Sequence, residues 1–287
     1  MPWCNYHSHS NYCDGQLRPE DYLKKAISKG MYAWGFSAHA PVPFESNWSV
    51  SPENLPVYLT EIEQLKKQYT HQLQVYCGLE IDFIPNLAGR KLYLNKEHEL
   101  DFYIGSIHFV DCFADGTPWN IDTSPELFLK GLKEIFRNNY RKAATRFYEL
   151  TWQMLQTECP DIIGHLDKVK MYNANFGFFS ETDSWYRTLQ DKTLQIIKNS
   201  GCYVEVNTRG YYRYQQADLY PGYCMIEKMA RMDIPLVLNS DAHHPDDVCA
   251  GFDYAAAILQ KCGLQYLWVL LDGRWQAKKY TAQGIVL

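Results

Sequence analysis

Trp3-Cys4-Asn5-Tyr6-His7-Ser8-His9 opens the chain, with Asp14 shortly after it. Side chains alternate between the two faces of a strand, so on a strand over 3–9 His7 and His9 point the same way, one pleat apart. Two imidazoles on one face at the end of a short strand make a chelating pair of the kind a transition metal binds. A similar arrangement returns near the other end as Asn239-Ser240-Asp241-Ala242-His243, after the apolar run Leu236-Val237-Leu238. Taken alone, His-x-His is a weak pattern. Repetition gives it weight: His39, Glu80, His108 and His165 each close a separate strand-like segment.

Outward from these residues, apolar and aromatic runs alternate with amphipathic stretches, the pattern of repeated βα units around a parallel sheet. After the first strand a helix starts near Pro19, where proline suits the first turn, and ends at Gly30. Strands are expected over 32–37, 73–80, 102–108, 161–165, 202–207 and 236–241. Ser51-Pro52-Glu53-Asn54 reads as the opening of a helix that runs to about Gln68. The region 125–157 reads as one long helix whose Lys130, Lys133, Arg137 and Arg141 form a solvated face. A helix over 182–200 ends at Gly201, and Asp272-Gly273 turns a hairpin expected to close the barrel. Seven strands, each delivering a polar group at its end, are the pattern of a barrel whose site lies at the C-terminal ends of its strands. The fold class is therefore α/β, a TIM-like barrel. With no linker, short-period repeat or low-complexity segment, residues 1–287 read as one domain.

The composition, 46% hydrophobic and 21% charged, is that of a soluble globular protein with a large core. A net charge of -5 argues against nucleic acid as a partner, because phosphate-backbone binders carry a basic excess. No apolar run is long enough to span a membrane, and no charged segment followed by an apolar one opens the chain. The expected location is the cytoplasm. The nine cysteines form no Cys-x-x-Cys pair, which fits reduced thiols in that compartment.

The ordered motifs are His7-Ser8-His9, Asp14, Ser37-Ala38-His39-Ala40-Pro41, Gly78-Leu79-Glu80, Gly105-Ser106-Ile107-His108, Gly164-His165, Glu205-Val206-Asn207 and Ser240-Asp241-Ala242-His243. In this order they resemble the polymerase and histidinol phosphatase (PHP) superfamily, and within it the histidinol-phosphate phosphatase branch. The resemblance covers essentially the whole chain. It implies a distorted (β/α)7 barrel, three divalent transition metal ions and hydrolysis of a small-molecule phosphate monoester, L-histidinol phosphate. Carried over by position, His7, His9, Glu80 and Asp241 would hold the first ion. Glu80 would bridge to a second, held also by His108 and His165, while Asp14, His39 and His243 would hold a third. Asp14 stands where many members carry histidine. Mixed imidazole and carboxylate ligation suits zinc, iron or manganese alike.

A buried histidine can simply bond to backbone. Six imidazoles and three carboxylates gathered at one end of a barrel, however, would repel and stay unpaired without cations. Such ions would activate water and clamp a phosphoryl group, so no nucleophile from the chain is required. Arg209 and Lys168 are the candidates to donate to the phosphoryl oxygens, and Asp241 or His243 to protonate the leaving oxygen. Phe44, Glu45 and Trp48, on the loop after His39, offer aromatic walls and a carboxylate for an imidazole and an ammonium, or else pack that loop on the barrel. His71 and His98 read as helix-surface residues and His244 as a residue of the pocket rim. The rival functions are a nucleotide or phosphotyrosine phosphoesterase and a metal-stabilised binding protein without turnover. The acidic charge speaks against the nucleotide, the aromatic loop against phosphotyrosine, and the intact ligand set against loss of turnover.

Overall fold

The computed structural model describes residues 2–90, 100–214 and 218–287. Its strands are β1 (Cys4–Asn5), β2 (Ala33–His39), β3 (Gln74–Asp82), β4 (Phe102–Ser106), β5 (Phe109–Cys112), β6 (Pro118–Asn120), β7 (Ile162–Ile163), β8 (Tyr203–Asn207), β9 (Leu236–Asn239), β10 (Tyr266–Leu271), β11 (Arg274–Thr281) and β12 (Gly284–Ile285). Seven of them form one sheet in the order β1-β2-β3-β4-β7-β8-β9, and every neighbouring pair is parallel. Strands buried on both faces suit a sheet covered by helices outside and packed side chains inside.

The first and last strands meet across a seam. Ser8 bridges Ala242 in parallel, His9 N donates to the Ala242 carbonyl at 2.8 Å, and Ala242 N donates to the His7 carbonyl at 3.2 Å. Side chains carry the rest of the seam: Tyr6 N donates to Asn239 Oδ1 at 2.8 Å and Asn5 Nδ2 to Ser240 Oγ at 2.7 Å. The sheet is thereby nearly closed into a TIM-like barrel, as the sequence led us to expect. Inside it, Phe102 lies where side chains at Gly35 and Gly78 would stand: a Cβ there would come within 2.9 Å and 2.6 Å of its ring.

The helices bury one stripe each. Along Ser184–Ser200 the buried residues are Tyr186, Gln190, Thr193, Leu194 and Ile197, a one-faced spacing, and Gly201 ends the helix at a φ of 78°. Among the described residues no helix is long and apolar enough to cross a membrane.

Four local expectations change. The first strand shrinks to Cys4–Asn5, because at Tyr6 the backbone N–H turns to the Asn239 side chain and the ladder resumes only as an isolated bridge at Ser8. Ser51–Asn54 folds as a turn, with Ser51 Oγ accepting from Asn54 N, and the helix starts a turn later at Leu55–Tyr69. The single helix over 125–157 is two, Pro125–Glu134 and Tyr140–Thr157. Arg137 and Asn138 take φ values of 54° and 58°, and the Asn139 side chain caps the second helix by accepting from Lys142 N. Lys130, Lys133, Arg137 and Arg141 are exposed, as a solvated face requires. Finally, the hairpin forms at Asp272-Gly273, but β10, β11 and β12 make a separate antiparallel sheet. That sheet seals the N-terminal end of the barrel, where Tyr6 Oη bonds both the N–H and the carbonyl of Leu270 and Trp275 stacks on Tyr203.

Candidate metal centre

The C-terminal ends of the strands converge on Glu80, near the end of β3. Its Oε2 lies 3.1 Å from His7 Nε2, 3.5 Å from His9 Nε2 and 3.1 Å from His39 Nδ1. Its Oε1 lies 3.0 Å from His165 Nε2 and 3.9 Å from His108 Nε2, and accepts from Ser106 Oγ at 2.6 Å. On the seam side, Asp241 Oδ1 is 3.2 Å from His9 Nε2 and 3.6 Å from His7 Nε2. At the mouth, Asp14 Oδ2 is 3.1 Å from His243 Nε2 and 3.8 Å from His39 Nε2. Gly15 lets this turn lie tight against the first strand's exit, since a Cβ there would stand 2.4 Å from the His9 backbone.

All nine residues singled out as ligands are thus brought together. Three sets have ligand atoms within 4.8 Å of one another: His7, His9 and Asp241; His39, Glu80 and His108; and His9, Asp14, His39 and His243. The grouping differs in detail from the resemblance, with His39 beside Glu80 and His9 in two sets. His165 falls in none of the three, although its Nε2 is 3.2 Å from that of His108.

The donor set fits cations. His9 Nε2, His39 Nδ1 and Asp241 Oδ1 are buried without a hydrogen-bond partner, an arrangement that is expensive unless something else satisfies them. His9 stacks on His39 at 4.4 Å and lies tilted against His243 at 4.2 Å. Burial, with those two rings beside it, pushes His9 down to about 3, so it stays neutral with a lone pair to offer. Burial pushes Glu80 up, but His7, His39 and His165 outweigh it and hold the carboxyl well below its usual range. For Asp241 burial is likewise overcome by His7, His9 and Arg209. Burial also pushes His7 and His108 down, but Glu205 beside the first and Asp82 beside the second outweigh it and raise both, so a bound cation would take the place of their protons. Ionised carboxylates among imidazoles are the ligand chemistry of zinc, iron and manganese.

The PHP domain family model matches residues 5–209. This chain belongs to the PHP domain family. It is 30% identical to a probable histidinol-phosphatase of Deinococcus radiodurans, over 89% of this chain and 91% of that one. It is 27% identical to the histidinol-phosphatase of Bacillus subtilis, over 89% and 98%. Two solved structures share the fold. A putative histidinol phosphatase from Listeria monocytogenes has a TM-score of 0.77 at 21% identity, covering 88% of this chain and 99% of that one. The histidinol phosphate phosphatase of Lactococcus lactis, solved with zinc, L-histidinol and phosphate, has a TM-score of 0.68 at 20% identity, covering 99% of each.

Within this PHP domain, a further set of residues holds the centre in place. Glu205 is fully buried and saturated: it bonds His7 Nδ1 at 2.6 Å and accepts from His165 N, Asn207 Nδ2 and Asn239 Nδ2. Asp82 Oδ1 accepts from both the backbone N and Nδ1 of His108, at 3.1 Å and 2.9 Å, which aims Nε2 at the centre. Glu205 belonged to a motif without an assigned role, and Asp82 was missed. The available signal was position, because Asp82 shares a strand face with Glu80 and Glu205 with Asn207. Asp82→Asn is expected to lower activity or metal affinity about 10–100-fold. Measuring kcat/KM and bound metal on the same preparation checks this, and wild-type values for both would remove the orienting role.

The other candidates around the PHP centre lie at graded distances. Arg209 Nη1 donates to the Asp241 carbonyl at 3.0 Å, and Tyr212 Oη to the same oxygen at 3.2 Å. They hold Asp241 at a φ of 55°, a conformation that costs a non-glycine residue about 1–3 kcal/mol. Lys168 is buried with its Nζ 2.8 Å from Asp122 Oδ2 and 5.4 Å from the Tyr220 ring. Burial raises Asp122, but Lys168, followed by His108, brings it down to about 2. Trp48 stands edge-on to His39 at 4.9 Å, whereas Phe44 packs behind it on Phe109 at 5.2 Å and Glu45 is exposed. His244 caps the short helix Pro245–Asp247 by accepting from Asp246 N, and His71 is exposed just past the helix ending at Tyr69. His98 lies outside the described residues.

Proposed function

We propose that the chain is a metal-dependent histidinol-phosphatase, hydrolysing L-histidinol phosphate to L-histidinol and phosphate in histidine biosynthesis. The observation that carries this reading is the gathering of all nine candidate ligands at one end of the barrel, with five of the imidazoles facing the buried Glu80 carboxylate, in a chain whose full-length relatives bear that activity in their names. His7, His9, Glu80 and Asp241 would hold one cation, Glu80, His108 and His165 a second, and Asp14, His39 and His243 a third. Zinc is the first choice, as the metal in the Lactococcus lactis structure, with iron or manganese suited to the same ligands. Bound there, divalent cations would lower the pKa of a water and neutralise phosphoryl charge.

The rest of the work falls to the chain. Arg209, anchored on Asp241, would direct its fork of N–H groups to the phosphoryl oxygens, and Lys168 would add a second charge from beside His108 and His165. Asp241 is held ionised, which makes it a poor proton donor. His243, whose Nδ1 faces the Asp241 carbonyl at 3.0 Å, would then protonate the leaving oxygen through Nε2, which requires that nitrogen to be released from the third ion and protonated. Trp48 would offer its ring to the imidazole and ammonium of the substrate, with Phe44 supporting it and Glu45 supplying a carboxylate at the rim. Residues 1–287 would act as a single catalytic domain. Its nine thiols are free, which supports a cytoplasmic location.

The test compares histidinol phosphate with a generic aryl phosphate under defined metals. Arg209→Ala should slow both about 10–100-fold, because both present the same phosphate. Trp48→Ala should slow histidinol phosphate by a similar factor and leave the aryl phosphate comparatively untouched. Equal losses in the Trp48 variant would make the loop a packing element. A wild-type enzyme that ignores histidinol phosphate would sink the substrate assignment.

A further inference from the structure

The opposite end of the barrel carries a pair of sulfurs that the phosphatase reading does not use. Cys159 Sγ and Cys202 Sγ lie 2.9 Å apart, within about 0.9 Å of a disulfide bond length. Cys159 follows the helix Tyr140–Thr157 and leads into β7; Cys202 follows the helix Ser184–Ser200 and leads into β8. These two strands pair through only two registers, Ile162 with Tyr203 and Ile163 with Val204. The thiols therefore face each other just where this short ladder begins.

The backbone supplies a second, independent observation. A left-handed backbone near a helix end favours glycine, which has no Cβ. Gly201 takes it directly after its helix at a φ of 78°; after the other helix Glu158 caps at a φ of -130° and Cys159, one residue further on, takes a φ of 38°. An L residue kept in that conformation against a local cost suggests a use for its side chain. Cys159 is exposed and Cys202 buried, so a reagent meets them in a fixed order.

We infer that Cys159 and Cys202 are a dithiol modification site that closes to a disulfide on reaction with a small disulfide such as oxidised glutathione. The Cys159 thiolate attacks one glutathione sulfur, forming a mixed disulfide and releasing the other glutathione as a thiol. Cys202 gives up its proton to water and attacks Cys159 Sγ, forming the internal bond and releasing the second glutathione thiol. Two protein thiols are oxidised and one external disulfide is reduced. Burial pushes Cys202 up to about 12, and its bond with Cys159 adds to this, so Cys202 acts second, helped by its closeness. The crosslink would span 43 positions of chain and staple the starts of β7 and β8.

The experiment treats the native, metal-loaded protein with oxidised glutathione, alkylates the remaining thiols and maps peptides by mass spectrometry with and without reductant. The expected result is a peptide pair linked through Cys159 and Cys202, lighter by two hydrogens, with both residues protected from alkylation. Cys112 and Cys224, the exposed thiols elsewhere, serve as internal references for simple glutathione adducts. C202S should leave Cys159 as a lasting glutathione adduct, and C159S should leave Cys202 free. If wild-type Cys159 keeps its glutathione without passing it on, or if both cysteines stay alkylatable while Cys112 reacts, the proposal is overturned.

Discussion

Glu80→Gln is expected to lower kcat/KM for L-histidinol phosphate by about 10²–10⁴-fold, the consequence of removing one partner from a buried charged network at ~3–5 kcal/mol. The amide keeps the size of the side chain and loses its charge. One oxygen of Glu80 faces His7, His9 and His39 and the other faces His165 and His108, so among the described residues no other carboxylate serves as many candidate ligands. An amide nitrogen in either place would point hydrogens at imidazole lone pairs needed for a cation. Asp14→Asn provides the contrast. Its carboxylate is 33% exposed and faces three imidazoles, His243, His39 and His9, against five for Glu80, so its loss should be the milder of the two in both metal content and rate. Elemental analysis and initial rates on both variants decide the matter. A Glu80 variant with wild-type metal and turnover would remove the shared role.

Chelation is the second large effect. Stripping the purified protein should abolish phosphatase activity, and adding back zinc should restore it. Stability should fall in parallel, because buried groups such as Asp241 Oδ1 and His9 Nε2 then have nothing to bind. Ligands present at about 100 times their Kd stabilise a protein by about 2.7 kcal/mol, which is worth about 4–5 °C in Tm for a domain of this size. Thermal scans of stripped, zinc-loaded and manganese-loaded protein measure that shift and rank the metals. Full activity in protein shown to be metal-free would refute metal-dependent hydrolysis.

Most of the ligands were legible in the sequence because they sit at or just past a strand end, where position along an apolar run already tells where the side chain goes; Asp14 and His243, on the turns beyond, were legible through the order of the motifs. His39, Glu80 and His108 all met that expectation. What escaped was whatever depends on contact between distant segments. Glu205 supports His7 and His165 from another strand, and no spacing within its own segment announces either partner. Asp82 supports His108 in the same way. Lys168, named from sequence as a candidate donor to the phosphoryl oxygens, is paired with Asp122, a partner from just past β6 that no spacing around Lys168 announces. Among the helices the errors were of punctuation. Asn138-Asn139 was a readable break inside 125–157, since asparagine both tolerates a left-handed backbone and caps helices, but the strong apolar period on either side obscured it.

The seam between the first and last strands of the barrel has a consequence for how the protein is made. His9 leaves the ribosome 232 residues before Asp241, and His7 and His243 lie just outside that interval. Until Ser8 meets Ala242, the early pair has no carboxylate opposite it on that side, and any ion it captures is held by fewer arms. Metal loading is thereby tied to completion of the barrel, and a truncated translation product lacking the last strand would leave its histidines open to scavenging by whatever soft cation is most abundant.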